Sequence, residues 1–240
     1  MWADRATIDP VLVNTLALSG LGLLFSWVSV LVAIIFNEVR GKTFKRVAQT
    51  VTTFPNFISW IIVYSVAASF FTSSGAVPTL MQALGMQKPM IPIMSNPNIA
   101  WYFQTLLAIW KGFGWGAIYY IAAIAGIDLS LYEAAEIDRA NKLKRIWHVT
   151  LPGIIETYFV LLLLAISNIL SNGLDQYFVM VNAQNISKVQ GLDYYVFNIG
   201  YLQQGYSEGT AIGILKSLIS LALLFGANYA AKKIRGRSIV

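Results

Sequence analysis

The sequence predicts an all-α, polytopic membrane protein, and three observations carry that reading. Of its 240 residues 57% are hydrophobic and only 12% are charged, whereas soluble domains run at about 45–50% apolar and about 25% charged residues. Mean hydropathy is +0.62, more apolar surface than a soluble core of this size can hide. Long stretches carry no charge at all, residues 11–36 and 47–71 among them.

A bilayer core about 30 Å thick needs about 20 helical residues, so each of these runs is long enough to cross. Three further spans are expected at about 99–127, with Lys111 inside, about 153–181, with Glu156 and Asp175, and about 209–231, with Lys216. That makes about five transmembrane helices in this chain.

Cations set the direction. Twelve fall in three segments: Arg40, Lys42, Lys45 and Arg46; Arg139, Lys142, Lys144 and Arg145; Lys232, Lys233, Arg235 and Arg237. Only Arg5, Lys88 and Lys188 fall on the opposite side. Loops rich in Lys and Arg stay in the cytoplasm, which places the C-terminus there and the N-terminus outside. The short outer N-terminal tail lacks a signal-peptide pattern. An upstream span in the full-length form, making six, is therefore expected. The same cation bias accounts for the net charge of +6 without nucleic acid as a partner. No internal repeat or long linker divides the chain, so residues 1–240 are read as a single transmembrane domain.

The outer connectors differ in kind. Residues 72–100 hold Pro78, Pro89, Pro92 and Pro97, with a short interfacial helix expected between the first two. Residues 182–208 carry Tyr194, Tyr195, Tyr201 and Tyr206, as in an aromatic belt at the headgroup layer or a carbohydrate-stacking surface.

There is no cysteine and a single histidine, His148. Thiolate chemistry is excluded, and with one histidine neither a His-based metal site nor a His triad is expected. No catalytic residue and no metal ligand is assigned, and His148 is read as a packing residue.

Residues 133–152, "EAAEIDRANKLKRIWHVTLP", stand apart. Seven of these twenty are charged. Good helix formers with early acids predict one short helix, and "NKLKRIWHV" a second. Pro152 permits a fresh helix start at the membrane. Such a helix–turn–helix either rests on lipid headgroups or docks on a protein. Its acidic first helix favours a protein, because the inner leaflet is negative.

Within the membrane, ionisable groups cost about 2.5–3.5 kcal/mol on insertion scales, so they face protein or water. Lys111 lies mid-span in "IWKGFGWG". It lines a path, snorkels or pairs with an acid, and Trp115 is an aromatic candidate for the same path. Glycines around it allow close helix approach or a local break. Asn168, Asn172, Asp175 and Gln176 fall at i, i+4, i+7 and i+8, one stripe if the helix is continuous. Such a stripe lines a path or hydrogen-bonds between helices. Asp175 and Lys216 lie at similar depth and are expected to pair.

The charged insert resembles the cytoplasmic "EAA" loop of permease subunits in binding-protein-dependent ABC importers. Glu133-Ala134-Ala135, Asp138, Arg139 and Leu151-Pro152 keep its spacing. Arg139 stands where the family has glycine and Val149 where it has isoleucine. If that glycine is left-handed, Arg139 costs roughly 1 kcal/mol or more; otherwise the turn is rebuilt. "FPNFISWIIVY" and "GFGWGAIYYIAAIAGID" are similar to the sugar-type branch, in particular that of complex oligosaccharides.

The resemblance implies an ABC importer permease fold in a bacterial plasma membrane, with residues 128–152 docking in a cleft of a cytoplasmic ATPase. The sugar cargo it implies needs neutral donors and acceptors, which makes the stripe of Asn168, Asn172, Asp175 and Gln176 the expected substrate contact. Implied partners are a second permease, two ATPase subunits, an extracellular solute-binding protein and membrane lipid. The chain shows no G-x-x-x-x-G-K-[ST] loop. No cofactor is therefore expected in it, with ATP and Mg²⁺ on the ATPase. Competing readings are an ABC permease for amino acids or another small solute, and an ion-driven secondary transporter, which would show inverted repeats.

Overall fold

The computed structural model describes residues 5–39, 41–87 and 91–235. Arg40, Lys88, Pro89 and Arg237 lie outside the described residues, as do the side chains of Arg5 and Arg235. Helix dominates and no strand occurs among the described residues. In order come α1 (Arg5–Leu24), α2 (Trp27–Glu38), α3 (Lys42–Thr53), α4 (Trp60–Phe71), α5 (Ala76–Ala83), α6 (Ala100–Ala125) and α7 (Leu129–Ile137). Then follow α8 (Lys142–Arg145), α9 (Leu151–Ser167), α10 (Leu174–Met180), α11 (Ile186–Val189), α12 (Leu192–Phe197) and α13 (Tyr206–Arg235).

Five helical segments are long and apolar enough to cross a membrane: Ile8–Glu38, Trp60–Ala83, Ala100–Ala125, Lys142–Ser167 and Tyr206–Lys233. The number agrees with the sequence reading, but two of the spans differ from it in their bounds. The run 47–71 is not one helix. A 3₁₀ turn, Phe54–Phe57, follows α3, and Ser59 caps α4 with extended backbone, its hydroxyl facing the Ile62 amide. Phe54 itself stays helical at φ −54 and ψ −42, but Pro55 supplies no amide to continue the α-helical ladder.

The run 153–181 is not one helix either. Helix ends at Ser167, and Gly173 at φ +82 precedes α10. The sequence here is "SNILSNG", whose Ser and Asn side chains compete for backbone groups and whose glycine accepts positive φ. At its other end this span starts earlier than expected. Helix continues from α8 through a π turn, Ile146–Thr150, into α9. Pro152 therefore does not restart a helix. The adjoining π turn accommodates its missing i→i−4 hydrogen bond.

Contacts divide the chain into two compact units. One comprises residues up to Gly22, Ile58–Leu107 and Ile166–Ala227. Its buried residues form three groups: Val63, Ala67, Met94, Phe103 and Met180; Val11, Leu170, Leu192 and Tyr195; Leu18, Ala100, Tyr177 and Val189. Tyr195 is thus core rather than belt, while Tyr201 and Tyr206 are exposed. Irregular backbone needs partners where water is scarce, and α1 supplies them to the 181–192 connector. Asn14 Nδ2 donates to the Ser187 and Gln190 carbonyls at 3.0 and 3.1 Å, and Thr15 Oγ1 accepts from the Leu192 amide at 2.8 Å.

The other unit comprises Leu23–Phe57, Ala108–Ala165 and the chain from Asn228 on. Val30, Ala33 and Ile34 of α2 pack with Ala117, Tyr120 and Ile124 of α6 and Ile154 of α9. Each set follows helical spacing, one apolar face per helix.

Candidate coupling surface and membrane path

The charged insert is built from local signals. Asp128 caps α7, its carboxylate accepting from the Ser130 amide at 2.9 Å. That bond holds the carboxyl below its ordinary range. At the far end the Arg139 amide donates to the Glu136 carbonyl at 3.0 Å and the Ala140 amide to that of Ala135 at 2.9 Å. Together with φ +52 at Arg139 this is a Schellman stop. The left-handed turn is therefore kept, with arginine in it. Asn141 then caps α8, accepting from the Lys144 amide at 2.9 Å.

Glu133, Ala134, Asp138, Arg139 and Pro152 are exposed, and Ala135 and Leu151 half-buried. Apolar side chains stand out beside them: Ile137 is 82% exposed and Leu143 76%, and Trp147 is exposed too. None of Glu133, Glu136, Asp138, Arg139, Lys142 and Lys144 ion-pairs with another described residue. His148 Nδ1 sits 2.9 Å from the Lys144 carbonyl oxygen at the exposed surface. The insert thus presents unpaired charge of both signs around bare apolar groups. The Tyr132 hydroxyl lies 3.0 Å from that of Thr150, which is 1% exposed, and ties α7 to the π turn. Leu151 packs on the core of its unit.

The residues expected to line a path are drawn from both units. Lys111 and Trp115 belong to one unit, and Asn168, Asn172, Asp175 and Gln176 to the other. In the first, one face of unbroken α6 meets the end of α3. Lys111 Nζ donates to the Asn56 carbonyl at 2.6 Å and to that of Pro55 at 3.3 Å. Gly114 lies so close that a Cβ would overlap the Thr52 carbonyl, and the Trp115 ring meets Phe57 edge-on at 5.7 Å. Residues 111, 114 and 115 stand at i, i+3 and i+4. Of the two roles expected of the glycines, Gly114 serves close approach.

In the other unit the polar stripe is broken, because the chain leaves the helix between Ser167 and Leu174. Asn172 Nδ2 donates to Ser19 Oγ at 2.8 Å, while its Oδ1 is buried without a hydrogen-bond partner. Gln176 is buried, and its Nε2 donates to the Gln104 carbonyl and side-chain oxygens, both at 2.9 Å. Asn168 sits beside Ser167, and Asp175 is exposed. Lys216 does not pair with Asp175. It pairs with Asp193, whose other oxygen accepts from the Gly173 amide at 2.9 Å. The turn at Gly173 decides this, since a continuous helix was the basis for matching depths.

Sequence reasoning missed Tyr132, Thr150, Asp193, Gln104 and Asn14. Gln104 and Asn14 carried a signal: a polar residue inside an apolar run needs a hydrogen-bonding partner.

The family model of the binding-protein-dependent transport system inner membrane component matches residues 25–236. The chain belongs to that family. This inner membrane component is 41% identical to Protein LplB of Bacillus subtilis over 92% of this chain and 69% of that protein. It is 38% identical to the polygalacturonan/rhamnogalacturonan transport system permease protein YteP of the same organism, over 93% of this chain and 70% of YteP. Among solved structures it resembles a chain of a bacterial alginate ABC transporter in complex with alginate pentasaccharide-bound periplasmic protein. The TM-score is 0.89 at 28% identity, covering 100% of this chain and 85% of that one. As a member of this family it is a membrane transport subunit.

Proposed function

We propose that this chain is one of two permease subunits of an ATP-driven oligosaccharide importer, and that residues 128–152 couple it to a cytoplasmic ATPase. The observation that carries the reading is the α7–Arg139–α8 turn, with its exposed Ile137 and Leu143 among charges that ion-pair with no other described residue. A surface of that kind suits a protein cleft, where apolar anchors desolvate and charges find opposites. Glu133 and Asp138 supply charged contacts, and Ala134 allows close approach.

The machine is completed by a second permease, two ATPase subunits carrying ATP and Mg²⁺, and an extracellular solute-binding protein. The cation bias puts the insert and the C-terminus in the cytoplasm. Uronate-bearing saccharides are the favoured cargo, because the similar YteP is named for polygalacturonan and rhamnogalacturonan and the similar solved structure is of an alginate transporter. Lys111, Trp115, Asn168, Asn172, Asp175 and Gln176 remain the proposed path residues. Those already bonded within the fold, Lys111, Asn172 and Gln176 among them, act by holding its walls.

The test is co-purification of an ATPase with the intact chain, followed by Glu133→Lys. The variant should insert normally and lose stimulated ATP hydrolysis. Normal transport by it would remove the docking assignment.

A further inference from the structure

We propose that Lys111 is a latch on a gate, a positioning residue that holds the broken segment Phe54–Phe57 against α6 and so sets the shape of the path. The inference rests on the importer reading above for what the gate serves. Its geometry stands by itself.

The segment is a joint. Helix α3 ends at Thr53, a 3₁₀ turn follows, and the backbone is extended at Ser59 before α4 begins. At such a break the last carbonyls lose the i+4 amides that would have bonded them. Pro55 and Asn56 stand at this break, just ahead of Ser59, the cap of the next helix. The Lys111 ammonium donates to both carbonyls. A cation is the favoured partner at a helix C-terminal end, and a lysine brings a compact charge with three donors.

Lys111 is 9% exposed, so its head group faces protein, the joint's carbonyls included, rather than passing cargo. The side chains on the joint are the opposite: Phe54 is 62% and Phe57 70% exposed. With Gln49, Thr50, Thr53 and Ile118 they line an open groove of about 430 Å³. Shifting the joint therefore reshapes a largely apolar surface, in which Ile121 also takes part, edged by amide and hydroxyl groups. Gates of this kind use a few element-terminal residues to absorb the backbone change, and Lys111 biases which arrangement is populated.

The chain has no cysteine, so Phe57→Cys places a single thiol of this subunit on the joint. In the reconstituted assembly its labelling rate is measured with and without a non-hydrolysable ATP analogue. Expected is at least a fivefold difference with Lys111 present, collapse to within twofold in Lys111→Met, and recovery in Lys111→Arg. If Lys111→Met fails to assemble, Lys111→Gln carries the same comparison. A fivefold contrast that survives loss of the ammonium overturns the latch. A thiol that labels at one rate in both states with Lys111 present overturns it too. Failure of an ATPase to co-purify is a separate readout and overturns the importer reading itself.

Discussion

Tyr132 and Thr150 touch hydroxyl to hydroxyl at 3.0 Å, joining the first helix of the charged insert to the π turn that leads into the fourth span. Thr150 is almost wholly enclosed, so this bond is shielded from competing water. A docked partner that moves α7 moves the π turn with it. Removing one hydroxyl forfeits a hydrogen bond of about 1 kcal/mol net and strands its partner. Tyr132→Phe should leave ATPase binding intact but lower solute transported per ATP severalfold. Thr150→Val should do the same, and the double variant should be no worse than either alone. Parallel transport and ATPase measurements in proteoliposomes check this; additive losses would show that the two hydroxyls act separately.

Gly114 and Gly112 make an internal comparison on one helix. A Cβ at Gly114 would overlap the Thr52 carbonyl, whereas one at Gly112 meets nothing within 4 Å. Overpacking costs about 1–3 kcal/mol, and here the obstacle is backbone. Gly114→Ala should lower the thermal midpoint of the purified complex by several degrees. Gly112→Ala should leave it unchanged or raise it slightly, since alanine is the better helix former. Equal effects at both positions would contradict the close approach.

Asp193 holds two elements at once, the Lys216 ammonium of α13 and the Gly173 amide at the start of α10. Both charged side chains retain 19% exposure, so breaking the pair should cost about 1–3 kcal/mol, less than for a fully buried one. Asp193→Ala is expected to reduce stability by that amount, and Asp175→Ala to be near neutral. A double-mutant cycle on unfolding, comparing Asp193 with Lys216 and Asp175 with Lys216, distinguishes them; coupling in the second pair would reverse the assignment.

Much of this architecture is legible where the governing forces are local. The spans follow from long runs with little or no charge, and the insert's two helices from good helix formers, early acids and the apolar Leu143 and Trp147, while the caps at Asp128 and Asn141 emerged from the structure. The breaks at Pro55 and Gly173 were harder to read, because a hydropathy run stays apolar whether or not its backbone is continuous. Their signals were turn chemistry, in "FPNF" and "SNILSNG", rather than polarity. Partner choice was not legible at all. Lys216 takes Asp193 rather than Asp175 only because Gly173 turns the chain, and Lys111 takes carbonyls that exist as acceptors only because α3 stops.

Arg139 offers the sharpest energetic test of the insert. Its φ of +52 closes a Schellman turn in a region where a Cβ crowds the following carbonyl, at roughly 1–2 kcal/mol. Glycine removes that strain but adds freedom to the unfolded chain, which returns part of the gain. Arg139→Gly should therefore stabilise the turn by about 0.5–1 kcal/mol, seen as slower hydrogen exchange at the Arg139-position and Ala140 amides, both of which donate within the turn. Arg139→Ala should give no such slowing, since alanine keeps the Cβ. The exposed guanidinium is lost in both, so a change in ATPase affinity shared by Gly and Ala reports the charge, and one confined to Gly reports the backbone. Faster exchange in Arg139→Gly would mean that arginine stabilises the turn by contacts outweighing its strain.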